Sequence, residues 1–157
     1  MKRIMLYIGI LVVLLAVPVK RLDVGKLRPV QVVRIYKDDG WIVIETDTDD
    51  YGIGMTAAQA LHNMEETTAG VIYLDTAQYL LLSKDAEDAA EELRSVLKPD
   101  TRLCYGEKEL DIGQAGRYLA SHGDLPKLKQ WKTGQDLPIL TTFRKRLTFL
   151  KKVEKSA

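Results

Sequence analysis

From residue 28 to residue 48 the chain alternates apolar, largely β-branched positions with polar ones on either side of Asp38-Asp39-Gly40, the pattern of a β-hairpin closed by a tight turn. A two-residue period places Val33 and Ile35 on one face with Ile42 and Ile44, and points Arg34 and Glu45 away from it. The next stretch, DDYGIG at 49–54, reads as a loop, its Gly-Ile-Gly serving as a flexible hinge before a helix. Helical spacing follows over 55–66, with Ala57, Ala60, Leu61 and Met64 on one stripe. VIYLDTAQYLLLSKD divides into a turn or short strand at 71–74 and a strand at 78–83. Residues 85–97 predict a helix, because Ala86, Ala89, Ala90, Leu93 and Leu97 fall at i, i+3, i+4, i+7 and i+11. Acidic residues crowd its first turns and Pro99 stops it. Beyond it TRLCYG reads as a strand, DIGQAGRYLASHG as a helix ending at Gly123, and DLPKLKQWKTG as a turn-rich helix. Residues 138–152 suit either a strand or a basic amphipathic helix. The pattern predicts an α+β fold, a single compact domain of mixed strands and helices. Its core should pack Val33, Ile35, Ile42 and Ile44 against the helix bearing Ala86, Ala90, Leu93 and Leu97.

The start of the chain follows neither period. Sixteen uncharged residues, 4–19, lie between Lys2-Arg3 and Lys20-Arg21. A basic start and an apolar run suit an export signal, yet Val17, Pro18 and Val19 offer no small-residue cleavage site. As a helix the run reaches about 24 Å, short of a hydrocarbon core of about 30 Å, a gap that snorkelling Lys and Arg can bridge. Residues 1–22 are therefore expected to stay as an N-terminal transmembrane anchor or uncleaved signal, with the α+β globular domain at 23–145 and a basic tail at 146–157. Both flanks are basic, so the positive-inside rule does not fix the orientation alone. The likeness to an export signal places the domain on the extracytoplasmic side of the cell membrane, single-pass.

Charge is segregated along the chain. Residues 22–143 hold 21 acidic against 13 basic side chains, a net of −8. Such a body repels nucleic acid. The basic excess sits in Arg144, Lys145, Arg146, Lys151, Lys152 and Lys155, interleaved with Phe143, Leu147 and Leu150 at helical i, i+4 and i+7 spacing. This segment is a candidate contact with an anionic membrane surface or an acidic partner. Its plainer alternative is a last helix packed on the domain.

Candidate chemistry is sparse, and no catalytic, cofactor-binding or metal-ligating set is expected. Cys104, the single cysteine, reads as a buried structural thiol. Asp47, Asp49 and Gly52 occupy positions 1, 3 and 6 of a calcium-loop pattern, but Tyr51 stands at position 5 and Ala58 at position 12, where a bidentate Glu belongs. An exposed acidic turn accounts for them better. The Gly-Ile-Gly lacks the third glycine of a dinucleotide fingerprint. His62 is expected on the exposed side of a helix and His122 at a helix C-terminus, neither in a nucleophile context, while Trp41 and Trp131 are expected in core or rim packing.

The order of elements resembles the N-terminal domain of the C subunit of bacterial spore germination receptors, the Ger(x)C family. LRPVQVVRIYKDDGWIVIETDT is similar to that family's opening hairpin, and GMTAAQALHNMEE to its Gly-started helix. AQYLLLSKDAEDAAEELRSVL is similar to its strand running into a helix, and DTRLCYGEKELDIGQAGRYL to its closing strand and helix. The similarity spans residues 27–145. Members are typically lipoproteins with further domains, whereas no lipobox cysteine ends the apolar run here. The resemblance implies a membrane-tethered, non-enzymatic interaction module of a spore-forming bacterium, acting on membrane protein partners. The competing expectation is an exported hydrolase using the acids at 47–50.

Overall fold

The computed structural model describes residues 27–122, 124–143 and 146–150. The expected anchor at 4–19, Gly123, Arg144, Lys145 and the cations at 151, 152 and 155 lie outside them. The chain forms a mixed α+β fold, one large sheet with three helices. Its strands are β1 (Leu27–Pro29), β2 (Val32–Asp38), β3 (Trp41–Thr46), β4 (Tyr51–Gly54), β5 (Val71–Tyr73), β6 (Tyr79–Leu82), β7 (Arg102–Gly106), β8 (Ile139–Phe143) and β9 (Arg146–Leu150). The helices are α1 (Ala57–Thr67), α2 (Glu87–Glu92) and α3 (Ile112–Ser121). Seven strands form the sheet in the order β4-β3-β2-β6-β7-β8-β9, and β1 pairs with β5 in a separate parallel ribbon. The central strands β2, β6, β7 and β8 run parallel, and an antiparallel hairpin closes each side.

Burial on both faces explains the apolar composition of the central strands: all four residues of β6 and the first five of β2 are buried. One face carries the larger core, in which Val33, Ile35, Ile42 and Ile44 join Ala86, Ala90, Leu93 and Leu97 as expected, together with Ala57, Ala60 and Met64 of α1. The opposite face holds a smaller core of Val32, Leu81, Cys104 and Leu140 beneath Ala115 and Leu119 of α3. The first hairpin turns on Asp39 (φ 48°) and Gly40 (φ 86°), both left-handed as a two-residue primed turn requires. Thr56 caps α1 by accepting the Gln59 N–H at 3.2 Å, and Asp111 caps α3 by accepting the Gln114 N–H at 2.7 Å.

Several expectations are corrected. Residues 51–54 are no loop or hinge but edge strand β4, paired antiparallel with β3. A Cβ on Gly52 would stand 2.0 Å from the Ala60 carbonyl oxygen, and one on Gly54 2.4 Å from the Ala60 nitrogen. These glycines let strand and helix backbones touch. The helix expected over 85–97 is α-helical only in α2, with a 3₁₀ turn on each side. Residues 124–134 form turns rather than a helix: the Leu103 N–H donates to the Pro126 carbonyl at 2.9 Å and the Leu128 N–H to the Thr101 carbonyl at 2.8 Å, and internally a single turn closes where the Trp131 N–H donates to the Lys127 carbonyl at 3.1 Å. Residues 139–143 and 146–150 take the strand alternative, which removes the helical stripe drawn through Phe143, Leu147 and Leu150. Arg146, assigned from the sequence to the basic tail, begins β9.

Candidate functional site: a cleft and an apolar face beside it

Arg34 leaves β2 on the α3 side of the sheet and is only 8% exposed. Directly across the hairpin stands Glu45, whose Oε2 accepts from Arg34 Nε at 3.0 Å and also from Nη2. Nη1 donates to the Leu110 carbonyl at 2.5 Å, tying the strand to the segment that leads into α3. Glu45 Oε1 accepts the Tyr36 hydroxyl at 2.7 Å. Burial, with this hydrogen bond and the Glu45 charge added, pushes the Tyr36 hydroxyl well above the usual phenol range, so it stays a donor. The Tyr36 ring lies near two cations, Arg34 at 5.5 Å and Lys108 at 5.4 Å, and Lys108 itself binds Asp38 at 2.6 Å. The buried charge is thus fully partnered, the condition under which a protein tolerates it.

A cleft of about 450 Å³ opens above this network, between the β3–β4 turn and the start of α3. The acids of the turn line it, and two of them have structural tasks. Asp47 Oδ1 accepts the N–H groups of Gln31 (3.0 Å) and Val32 (3.2 Å), fixing the entry to β2. Asp50 Oδ1 binds Arg28 Nη1 at 2.6 Å and accepts from the Thr68 hydroxyl at 3.2 Å, while its Oδ2 accepts from Thr48 at 2.7 Å. Asp49 sits at φ 61° in the turn. No group of three His, Cys, Asp or Glu residues among those described is arranged to hold a metal ion.

The other residues singled out from the sequence lie elsewhere. His62 is exposed on α1 and meets Glu66 at 3.2 Å; His122 stacks on Tyr118 with ring centroids 4.1 Å apart, and its Nδ1 lies 3.0 Å from the Tyr118 carbonyl. Cys104 is buried in the smaller core, where desolvation pushes its thiol up to about 12, so it is neutral and unreactive at ordinary pH. Trp131 is 1% exposed, whereas Trp41 is 49% exposed and is not core.

Trp41 belongs to a feature the sequence reading missed. Gly52 and Gly54 point to α1, so Tyr51 and Ile53 point to the opposite face, level with Glu45 and Val43 of β3. There α3 covers β2, and although Val43 of β3 is buried at 6% exposure, the start of β3 and the outer strand β4 stay exposed. Tyr51 (60% exposed) and Ile53 (43%) share this face with Trp41, exposed Met55 (71%) follows directly after β4, and Tyr51 also lines the cleft. Reading 49–54 as a loop hid this face; the alternation of Tyr51 and Ile53 with two glycines was the available signal. Side chains of α1 close the strand's outer edge: Asn63 Oδ1 accepts the Ile53 N–H at 3.1 Å and Gln59 Oε1 accepts the Met55 N–H at 3.0 Å. No helix among the described residues is long and apolar enough to cross a membrane. No family model, curated protein or solved structure matches this chain.

Proposed function

We propose that this chain is a membrane-anchored, extracytoplasmic interaction module, the kind of protein its resemblance to the Ger(x)C N-terminal domain implies, and that it acts by contacting membrane protein partners rather than by catalysis. The observation that carries this reading is the uncovered face of Trp41, Tyr51, Ile53 and Met55. Large apolar side chains grouped on one sheet face cost solvation unless something covers them, and such patches mark interaction sites. The chemistry agrees. Asp47 and Asp50 hold the backbone and Arg28, Cys104 is buried, and the two histidines lie on separate elements, His62 on α1 and His122 just past the end of α3. The exported-hydrolase reading draws on the cleft, but a general acid–base pair needs carboxylates free to exchange protons with a substrate, and two of the turn's acids are already engaged. In the proposed arrangement residues 4–19 anchor the chain, and Arg144, Lys145, Arg146, Lys151, Lys152 and Lys155 contact the membrane or an acidic partner.

The intact mass of the chain extracted from membranes tests the anchor. The expected species retains residues 1–22; a mature N-terminus near Val19 or Lys20 would contradict it.

A further inference from the structure

We infer that the face formed by Trp41, Tyr51, Ile53 and Met55, together with the acidic cleft it runs into, docks a basic amphipathic segment of a partner protein. The inference rests on the interaction-module reading and specifies the chemistry of the partner. Apolar surface and charge meet at Tyr51, which belongs to both features. Within the cleft Arg34 offsets Glu45 and Arg28 offsets Asp50, which leaves Asp47, Asp49 and Asp111 as unbalanced anions. A segment with Leu- or Phe-like residues on one side and Lys or Arg on the other would cover the patch and place its cations in the cleft.

Other occupants fit less well. An anionic lipid surface would be repelled by those acids. Pairing as an additional strand on β4 is opposed by Asn63 and Gln59, which already accept the outward N–H groups of Ile53 and Met55. The occupant is therefore held by side chains on the sheet face rather than by backbone at its edge.

The test uses the full chain in nanodiscs of zwitterionic lipid, titrated against fluorescent synthetic peptides and followed by anisotropy. One peptide is Leu/Lys amphipathic, a second carries Glu in place of Lys, and a third carries Ser in place of Leu. Two double variants keep local geometry: Ile53→Thr with Met55→Gln keeps the β-branched and the unbranched side chain while making both polar, and Asp49→Asn with Asp111→Asn keeps the left-handed turn and the helix cap while removing charge. The Leu/Lys peptide should bind, more weakly as salt rises, and each double variant should weaken it about tenfold or more without changing the thermal midpoint. Equal binding of the Glu peptide, or unchanged affinity in either variant, would overturn the inference. So would patch-dependent attachment of the nanodiscs to anionic vesicles, which would make the face a lipid contact. Any of these results with residues 1–22 retained in the membrane-extracted chain would remove this docking surface and leave the anchored module standing.

Discussion

Replacing Gly52 by Ala adds one methyl group at the tightest backbone contact described in the fold. That methyl would lie 2.0 Å from the Ala60 carbonyl oxygen and 2.7 Å from Met64 Cβ. A carbon–oxygen contact requires more than about 3 Å, so β4 and α1 must separate by about 1 Å, and the obstacle is backbone rather than a side chain able to rotate away. Separation loosens Ala60 and Met64, both fully buried, and strains the β3–β4 pairing. Overpacking that a core absorbs costs about 1–3 kcal/mol, so a backbone obstacle sets the expectation at about 3 kcal/mol or more. That is a large share of a typical domain stability of about 5–15 kcal/mol. Gly113→Ala is the control: its Cβ would meet only Asp111 Oδ1 at 3.4 Å and Arg117 Nη1 at 3.9 Å in the first turn of α3, so it should be neutral or stabilise by up to about 1 kcal/mol. Urea unfolding followed by the fluorescence of buried Trp131 measures both. A Gly52→Ala loss within about 0.5 kcal/mol would refute the strand–helix contact as drawn.

Glu45→Gln should cost about 3 kcal/mol in the same urea assay, because it leaves the buried Arg34 guanidinium without its counter-charge and weakens the acceptor of the Tyr36 hydroxyl. An effect near zero would mean that solvent reaches the pair. Leu93→Ala, at the centre of the larger core, should cost about 2–5 kcal/mol. Cys104 should resist alkylation at pH 8 until the chain unfolds. Because its folded thiol pKa is raised to about 12, its contribution to stability is complete below the ordinary thiol range and is lost as pH climbs from there towards 12. Stability should therefore fall less steeply above about pH 9 in Cys104→Ala than in the parent, and parallel curves would contradict the burial.

The larger core was legible because it obeys simple periods. The turn residues Asp39 and Gly40 fix the hairpin register, and the i, i+3, i+4 spacing of Ala86, Ala89 and Ala90 survives even though α2 itself is short. That register also sets Arg34 opposite Glu45, so the buried pair could have been found by counting back from the turn. What the sequence does not show is that the face they point to carries a second core under α3. β4 was illegible for a different reason. Glycine weakens any strand signal, and only the proximity of α1, a tertiary fact, explains why Gly52 and Gly54 are there. Likewise the backbone of 126–129 bonds to β7 and its flanks, which no local pattern reveals.

Whether the open face works outside the cell, on a tethered chain, can be read directly with Trp41→Cys placed in a Cys104→Ala background and treated with a membrane-impermeant maleimide before and after lysis. Labelling in intact cells, with the label retained in carbonate-washed membranes, is the expected result. Labelling only after lysis, or a labelled chain in the soluble fraction, would contradict an anchored module that presents this face outside the cytoplasm.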